Sequence, residues 1–175
     1  MIYCLYIFDR HCQCVFYTEW NRSPDRSRTE GSSSFSEPPT PYVWPRPLAT
    51  STTDPRDARM DNEAKLVYGV VFSLKNMVTK LCHNKDSDGF VSYRTSSYKL
   101  HYYGTASGVR FVLLTDPTVP SLRDVLRQIY LHIYLEYVVK NPLFPYDPQQ
   151  SRPISNDYFG NMLNSYIKGL SCYQS

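Results

Sequence analysis

The chain has 175 residues and a formal charge of +3, from 19 lysines and arginines against 16 aspartates and glutamates. With 42% hydrophobic and 15% aromatic residues it is neither an acidic disordered chain nor a basic nucleic-acid arm, and collagen-like and coiled-coil compositions are also excluded. Its 16 tyrosines and two tryptophans suit a core and a partner surface equally, because each joins an apolar body to a polar tip.

Met1 to Phe8 is apolar, but no basic segment precedes it and Asp9-Arg10 follows at once, so it is too short for a signal peptide. Leu122 to Val139 is interrupted by Arg123, Asp124, Arg127, His132 and Glu136, whereas a membrane span needs about 20 nearly uncharged residues. The expectation is a soluble protein. Five cysteines without even spacing (Cys4, Cys12, Cys14, Cys82, Cys172) point to a reduced, cytosolic setting.

In chain order, Ile2 to Phe8 reads as a central strand covered on both faces, and Cys14 to Trp20 as its hairpin partner across the polar turn Asp9 to Gln13. Residues 21–60 hold seven of the thirteen prolines, seven serines and six arginines, and are expected to be a disordered inserted loop. Asp61 is expected to cap a helix running to about Cys82. Turning that helix by about 100° per residue gathers Leu66, Val67, Val70, Val71, Leu74, Met77, Val78 and Leu81 into one arc facing a sheet. Tyr68 and Phe72 fall outside the arc, with Gly69 and Ser73 beside them. Either the rest of the domain covers this pair or a partner does.

Three strands follow, Phe90 to Arg94, Tyr98 to Tyr103 and Val109 to Thr115, the last two joined by the glycine-bearing turn Gly104 to Gly108. A long helix is expected from Ser121, with Asp124 completing a variant capping box, to Asn141-Pro142. Its apolar residues surround most of the circumference, so it needs cover on more than one side. The last helix, after Ser155, carries one stripe of Phe159, Met162, Leu163, Tyr166, Ile167 and Leu170. The order β-β-α-β-β-β-α-α predicts one α+β domain over residues 1–175, a five-stranded antiparallel sheet with helices on both faces.

No catalytic constellation stands out. His11-Cys12-Gln13-Cys14 lacks the second ligand pair of a zinc site, and buried structural cysteine is the plainer reading. Cys82-His83 points its side chains apart, and Asp86-Ser87-Asp88-Gly89 lacks the later ligands of a calcium loop. Gly104 and Gly108 have neither the GKS/T sequence nor a following helix, and His101 reads as a satisfied or solvated sheet residue. The expectation is no metal, no cofactor and no catalytic centre: a chain that works by its surface.

Leu5-Tyr6-Ile7-Phe8-Asp9-Arg10, Lys65 to Leu74, Thr95 to Tyr103, Gly108 to Asp116 and Tyr137 to Pro142 together resemble the subunit 1 family of the TRAPP complex, the transport protein particle. The resemblance covers nearly the whole domain except the insertion and parts of the C-terminal tail. It implies a longin-like fold with one helix on one sheet face and two on the other. It also implies a core subunit of a tethering complex in endoplasmic reticulum to Golgi transport, exchanging guanine nucleotide on a Rab1/Ypt1-type GTPase. Longin-like and Bet3-like subunits would be its neighbours, and it would be cytoplasmic, reaching cis-Golgi and endoplasmic reticulum membranes only through the complex. In that family the longin pair sets first helices and strand edges side by side. This marks Lys65, Tyr68, Phe72, Lys75 and Asn76, with Tyr93 and Arg94 on the neighbouring strand, as partner-binding residues. The alternative is a stand-alone longin-type SNARE regulator or trafficking adaptor; a SNARE would need a heptad helix after the domain, and none is expected before Ser175. Ser23-Pro24 and Pro38-Pro39-Thr40-Pro41 in the long loop read as spacer, kinase site or polyproline ligand.

Overall fold

Unbroken apolar runs need cover on both faces, and the two central strands have it. The computed structural model describes residues 1–21, 42–44, 55–82, 89–143 and 151–173. Strands β1 (Ile2–Phe8) and β6 (Arg110–Thr115) lie side by side in the middle of an antiparallel sheet. On one flank come β2 (Cys14–Glu19) and a short β3 (Tyr42–Trp44); on the other come β5 (Lys99–Gly104) and β4 (Ser92–Arg94). The order across the sheet is therefore β3-β2-β1-β6-β5-β4, with the five expected strands extended by one three-residue strand.

β3 falls inside the segment expected to be loop. Tyr42, Val43 and Trp44 are aromatic or β-branched, the residue types that strands favour, and they pair with Glu19, Thr18 and Tyr17. The prolines around them hide that preference in the composition. The helix α1 (Pro55–Leu81) likewise begins before Asp61, with a proline at its first position, where a missing N–H costs nothing. Residues 22–41 and 45–54 of the expected loop lie outside the described residues.

α1 covers one face of the sheet. Met60, Ala64 and Val71 are buried there against Cys4, Tyr6, Phe8, Tyr17, Leu100, Tyr102 and Val112. The other face receives α2 (Arg123–Gln128), its continuation Ile129–Val139, and α3 (Asp157–Lys168). On that side Phe16 meets Phe159 edge-on, ring centroids 4.9 Å apart, and Tyr134 meets Phe111 edge-on at 5.6 Å. Each such pair adds about 0.5–1.5 kcal/mol beyond its burial. The architecture is α+β, one helix over and two under.

The long helix departs from expectation at its start. It begins at Arg123 with no side-chain cap, so the expected Ser121–Asp124 box does not form. Instead the N–H of Leu122 is satisfied from the sheet, by Nδ1 of the buried His101 at 3.3 Å. Ile129–Val139 is π-helical, closing with the Lys140 N–H on the Leu135 carbonyl, five residues back, at 2.9 Å. The helix ends just before Pro142, as proline requires.

α3 is docked by polar ties at its start and midway along its apolar stripe. Asn156 caps it by accepting the Tyr158 N–H, and its amide donates to the Tyr137 carbonyl at 2.8 Å. Trp20 Nε1 donates to Asn164 Oδ1 at 2.7 Å, joining β2 to the helix. Phe159, Leu163 and Ile167 are fully buried, while Met162 is exposed.

Candidate interaction surface

The face α1 turns inward is set by residues that precede the expected start of the helix. Met60, Ala64, Val67, Val71, Leu74 and Val78 recur at helical spacing and pack on the sheet, the first, second and fourth of them buried. Counting from Met60 rotates the helix relative to an arc drawn from Leu66. Half of the expected sheet-facing arc is therefore correct, Val67, Val71, Leu74 and Val78. The other half is on the outside: Leu66 is 72% exposed, Val70 44%, Met77 51% and Leu81 70%. They form a second apolar stripe at i, i+4, i+11 and i+15, along four turns of one helix side.

For Tyr68, left open between cover by the rest of the domain and cover by a partner, the domain supplies part of the cover. It lies half-buried at the rim of the inner face, with its ring 5.3 Å from that of Phe8. Its hydroxyl donates to Cys12 Sγ at 2.7 Å, and the Arg110 guanidinium stands 5.6 Å over the ring. Burial, followed by that bond to Cys12, pushes the phenol up to about 12, so it stays neutral. Cys12 itself adopts a left-handed backbone, φ 67°, at the tip of the β1–β2 turn. Phe72 stacks on Tyr68 with centroids 6.3 Å apart and is 54% exposed.

Lys65, Lys75 and Asn76 are exposed on the same flank as Phe72, on the opposite side of α1 from the apolar stripe. The Lys65 amino group pairs with Asp61 one turn back at 2.6 Å. Tyr93 and Arg94 are exposed on β4, the outer edge of the sheet, and so belong to a strand edge instead of the helix flank. Thus five of the seven marked residues share one helix side, with Tyr68 turned partly inward. The stripe of Leu66, Val70, Met77 and Leu81 was missed; its signal in the sequence was the inner phase begun by Met60 and Ala64.

The cysteine-rich turn does not gather ligands. Cys4 sits opposite Glu19, toward the other end of the hairpin from Cys12, and Cys14 is half-buried, its thiol pushed up to about 12 by desolvation first. Among the described residues no three histidine, cysteine or acidic side chains converge as a metal site. His101 is buried in a bonded network: one ring nitrogen accepts from Leu122 N–H and the other lies 3.0 Å from Thr115 Oγ1. Among the described residues no helix is long and apolar enough to cross a membrane.

One helix over an antiparallel sheet and two beneath it make a longin-like module, with apolar side chains exposed along one helix side among the described residues. The sequence profile described as the Sybindin-like family matches residues 2–170, and the chain belongs to that family. It is 38% identical to the Schizosaccharomyces pombe "Transport protein particle subunit bet5", over 98% of this chain and 99% of the relative. It is 34% identical to the Dictyostelium discoideum "Trafficking protein particle complex subunit 1", over 100% of both. A partial match, 34% identical over 49% of this chain and 39% of the relative, is to the Pongo abelii "Trafficking protein particle complex subunit 4".

Proposed function

We propose that this chain is a non-catalytic core subunit of a TRAPP-type tethering particle and acts there by supplying surface. The observation that carries this reading is the stripe of Leu66, Val70, Met77 and Leu81, four large apolar side chains open along one side of α1. Monomers seldom leave such a stripe uncovered. The names of the full-length relatives support the choice of assembly.

Its neighbours would be longin-like and Bet3-like subunits, and a longin-like partner laid along α1 would cover the stripe. Permanent interfaces are the more apolar ones, and transient ones are more polar. On that basis the stripe is assigned to a subunit. The opposite flank, Lys65, Phe72, Lys75 and Asn76, and the edge residues Tyr93 and Arg94, are assigned to the Rab1/Ypt1-type GTPase or a further subunit. The assembled particle would exchange nucleotide by binding the empty GTPase better than the loaded one, which shifts the population toward open switch loops. It would serve endoplasmic reticulum to Golgi transport from the cytoplasmic side, with membrane contact made through the complex and no nucleic acid involved.

Affinity purification of the tagged chain from cells is expected to yield small subunits of similar size, and adding the chain to the remaining core subunits is expected to restore exchange that it lacks alone. A chain recovered without companions, or a particle whose exchange rate is the same without it, would sink the reading.

A further inference from the structure

The β1–β2 turn carries two thiols on either side of one pinned residue. Gln13, between Cys12 and Cys14, is tied at both backbone groups: its carbonyl accepts the Asp9 N–H at 3.0 Å, and its own N–H donates to the Asp9 carboxylate at 3.0 Å. The backbone between the cysteines is thereby held, and their side chains are left to move. Both thiols lie on the α1 side of the sheet. Cys14 is half-buried beside the cluster that α1 covers, and Cys12 Sγ accepts from the Tyr68 hydroxyl of α1 at 2.7 Å. Both line a single cleft of about 340 Å³, with Gln13, Ala64 and Ser151 among its other walls.

The two sulfurs differ in access. Cys12 is exposed, so an oxidant in solution reaches it, whereas burial shields the Cys14 thiol and keeps it protonated.

We propose that Cys12 and Cys14 form a reversible disulfide switch, closed by a peroxide and reopened by a small thiol, which frees Tyr68 from the turn. In the first step the Cys12 sulfur attacks a peroxide oxygen and the O–O bond breaks. The sulfur is oxidised to the sulfenic acid, and the other oxygen leaves as water. In the second, the Cys14 sulfur attacks the Cys12 sulfur, the S–O bond breaks, and the departing hydroxide takes the Cys14 proton as a second water. Because Cys14 must give up its proton from a shielded place, this step is the slower one. To reopen, one thiol molecule displaces a cysteine as a mixed disulfide and another displaces the first, leaving both cysteines reduced and a small disulfide as product.

The new bond turns the Cys12 sulfur toward Cys14 and takes from Tyr68 its acceptor. Phe72 is stacked on the Tyr68 ring, so the change reaches the flank assigned to a GTPase or further subunit. Formation of the bond needs only this chain; its effect on companions rests on the particle reading.

For the test, the full chain is purified reduced, treated with hydrogen peroxide, alkylated and cut with trypsin. The peptide of residues 11–22 carries Cys12 and Cys14 and no other cysteine. It is expected with an internal disulfide and no alkyl label, and dithiothreitol should restore labelling at both positions. Cys14→Ser should stop at the Cys12 sulfenic acid, trapped by dimedone, and Cys12→Ser should leave Cys14 reduced. Ring resonances of Tyr68 and Phe72 should shift on oxidation and return on reduction, and should not respond to peroxide in Cys12→Ser. Sulfinic acid at Cys12 beside a reduced Cys14, a bond from Cys12 to any other cysteine or to a second chain, or rings unmoved by the bond would each overturn the proposal. Affinity purification then compares the reduced and oxidised chain. Companions lost only after oxidation support the switch, and equal recovery in both states overturns its reach to partners. A reduced chain without companions sinks the particle reading instead and leaves the bond standing.

Discussion

The imidazole of His101, buried in β5, takes the N–H of Leu122 on Nδ1 at 3.3 Å and so caps α2 from inside the sheet. Because Nδ1 accepts, Nε2 carries the proton and donates to Thr115 Oγ1 at 3.0 Å. Burial, then the nearby Lys99 charge, lowers its pKa from 6.5 to about 4. The unfolded imidazole takes up a proton at higher pH than the folded one, so this contribution to stability is complete above about pH 6.5 and is lost as pH falls toward 4. The full loss is up to about 3 kcal/mol. Denaturant midpoints measured between those pH values should fall for the native chain, and should fall less for His101→Asn, which keeps an acceptor near Leu122 but cannot titrate there.

Tyr68 and Phe72 touch, yet their removal should have different consequences. Tyr68 packs on Phe8 within the inner cluster, whereas Phe72 is largely open to solvent. Tyr68→Ala is expected to cost about 2–4 kcal/mol of unfolding free energy, and Phe72→Ala under about 1 kcal/mol. Chemical denaturation of the two variants checks this, and it makes Phe72→Ala the cleaner probe of partner binding.

For the apolar stripe the expected pattern is the reverse. Leu66→Ser and Met77→Ser alter exposed positions, so the chain should keep its midpoint to within about 1 kcal/mol. Recovery of companion subunits should fall by roughly tenfold or more, because buried apolar anchors carry most of an interface. Normal recovery with both substitutions would move the subunit contact away from this side of α1.

Phe159 is fully buried and meets both Phe16 and Tyr134 edge-on. Phe159→Ala should cost about 3–5 kcal/mol, measured by thermal or denaturant unfolding, and Phe159→Leu distinctly less.

The parts of the fold legible in the sequence are those with one unambiguous period. β1 and β6 are apolar without interruption because both faces are covered, and the stripe on α3 from Phe159 to Ile167 is clear because its other side is polar. α1 is apolar on two sides, so its phase depended on where it began, and a start at Asp61 omitted Met60 and Ala64, which fix the inner face. β3 is three residues among prolines, too short to show any period. The capping role of His101 depends on groups brought together from separate elements, β5 and the start of α2, and no local pattern encodes such convergence.

The widened coil of Ile129–Val139 makes this part of the molecule sensitive to length. Ile129, Ile133 and Val138, its buried residues, are spaced by four and then five, and the final closure skips five. Were the same residues to tighten into ordinary turns, with none deleted to compensate, everything after them would swing through about a quarter of a revolution. Tyr137 would then no longer offer its carbonyl to Asn156, and the last helix would lose its mooring. A shift of one residue, harmless in a surface loop, would here unseat a whole layer.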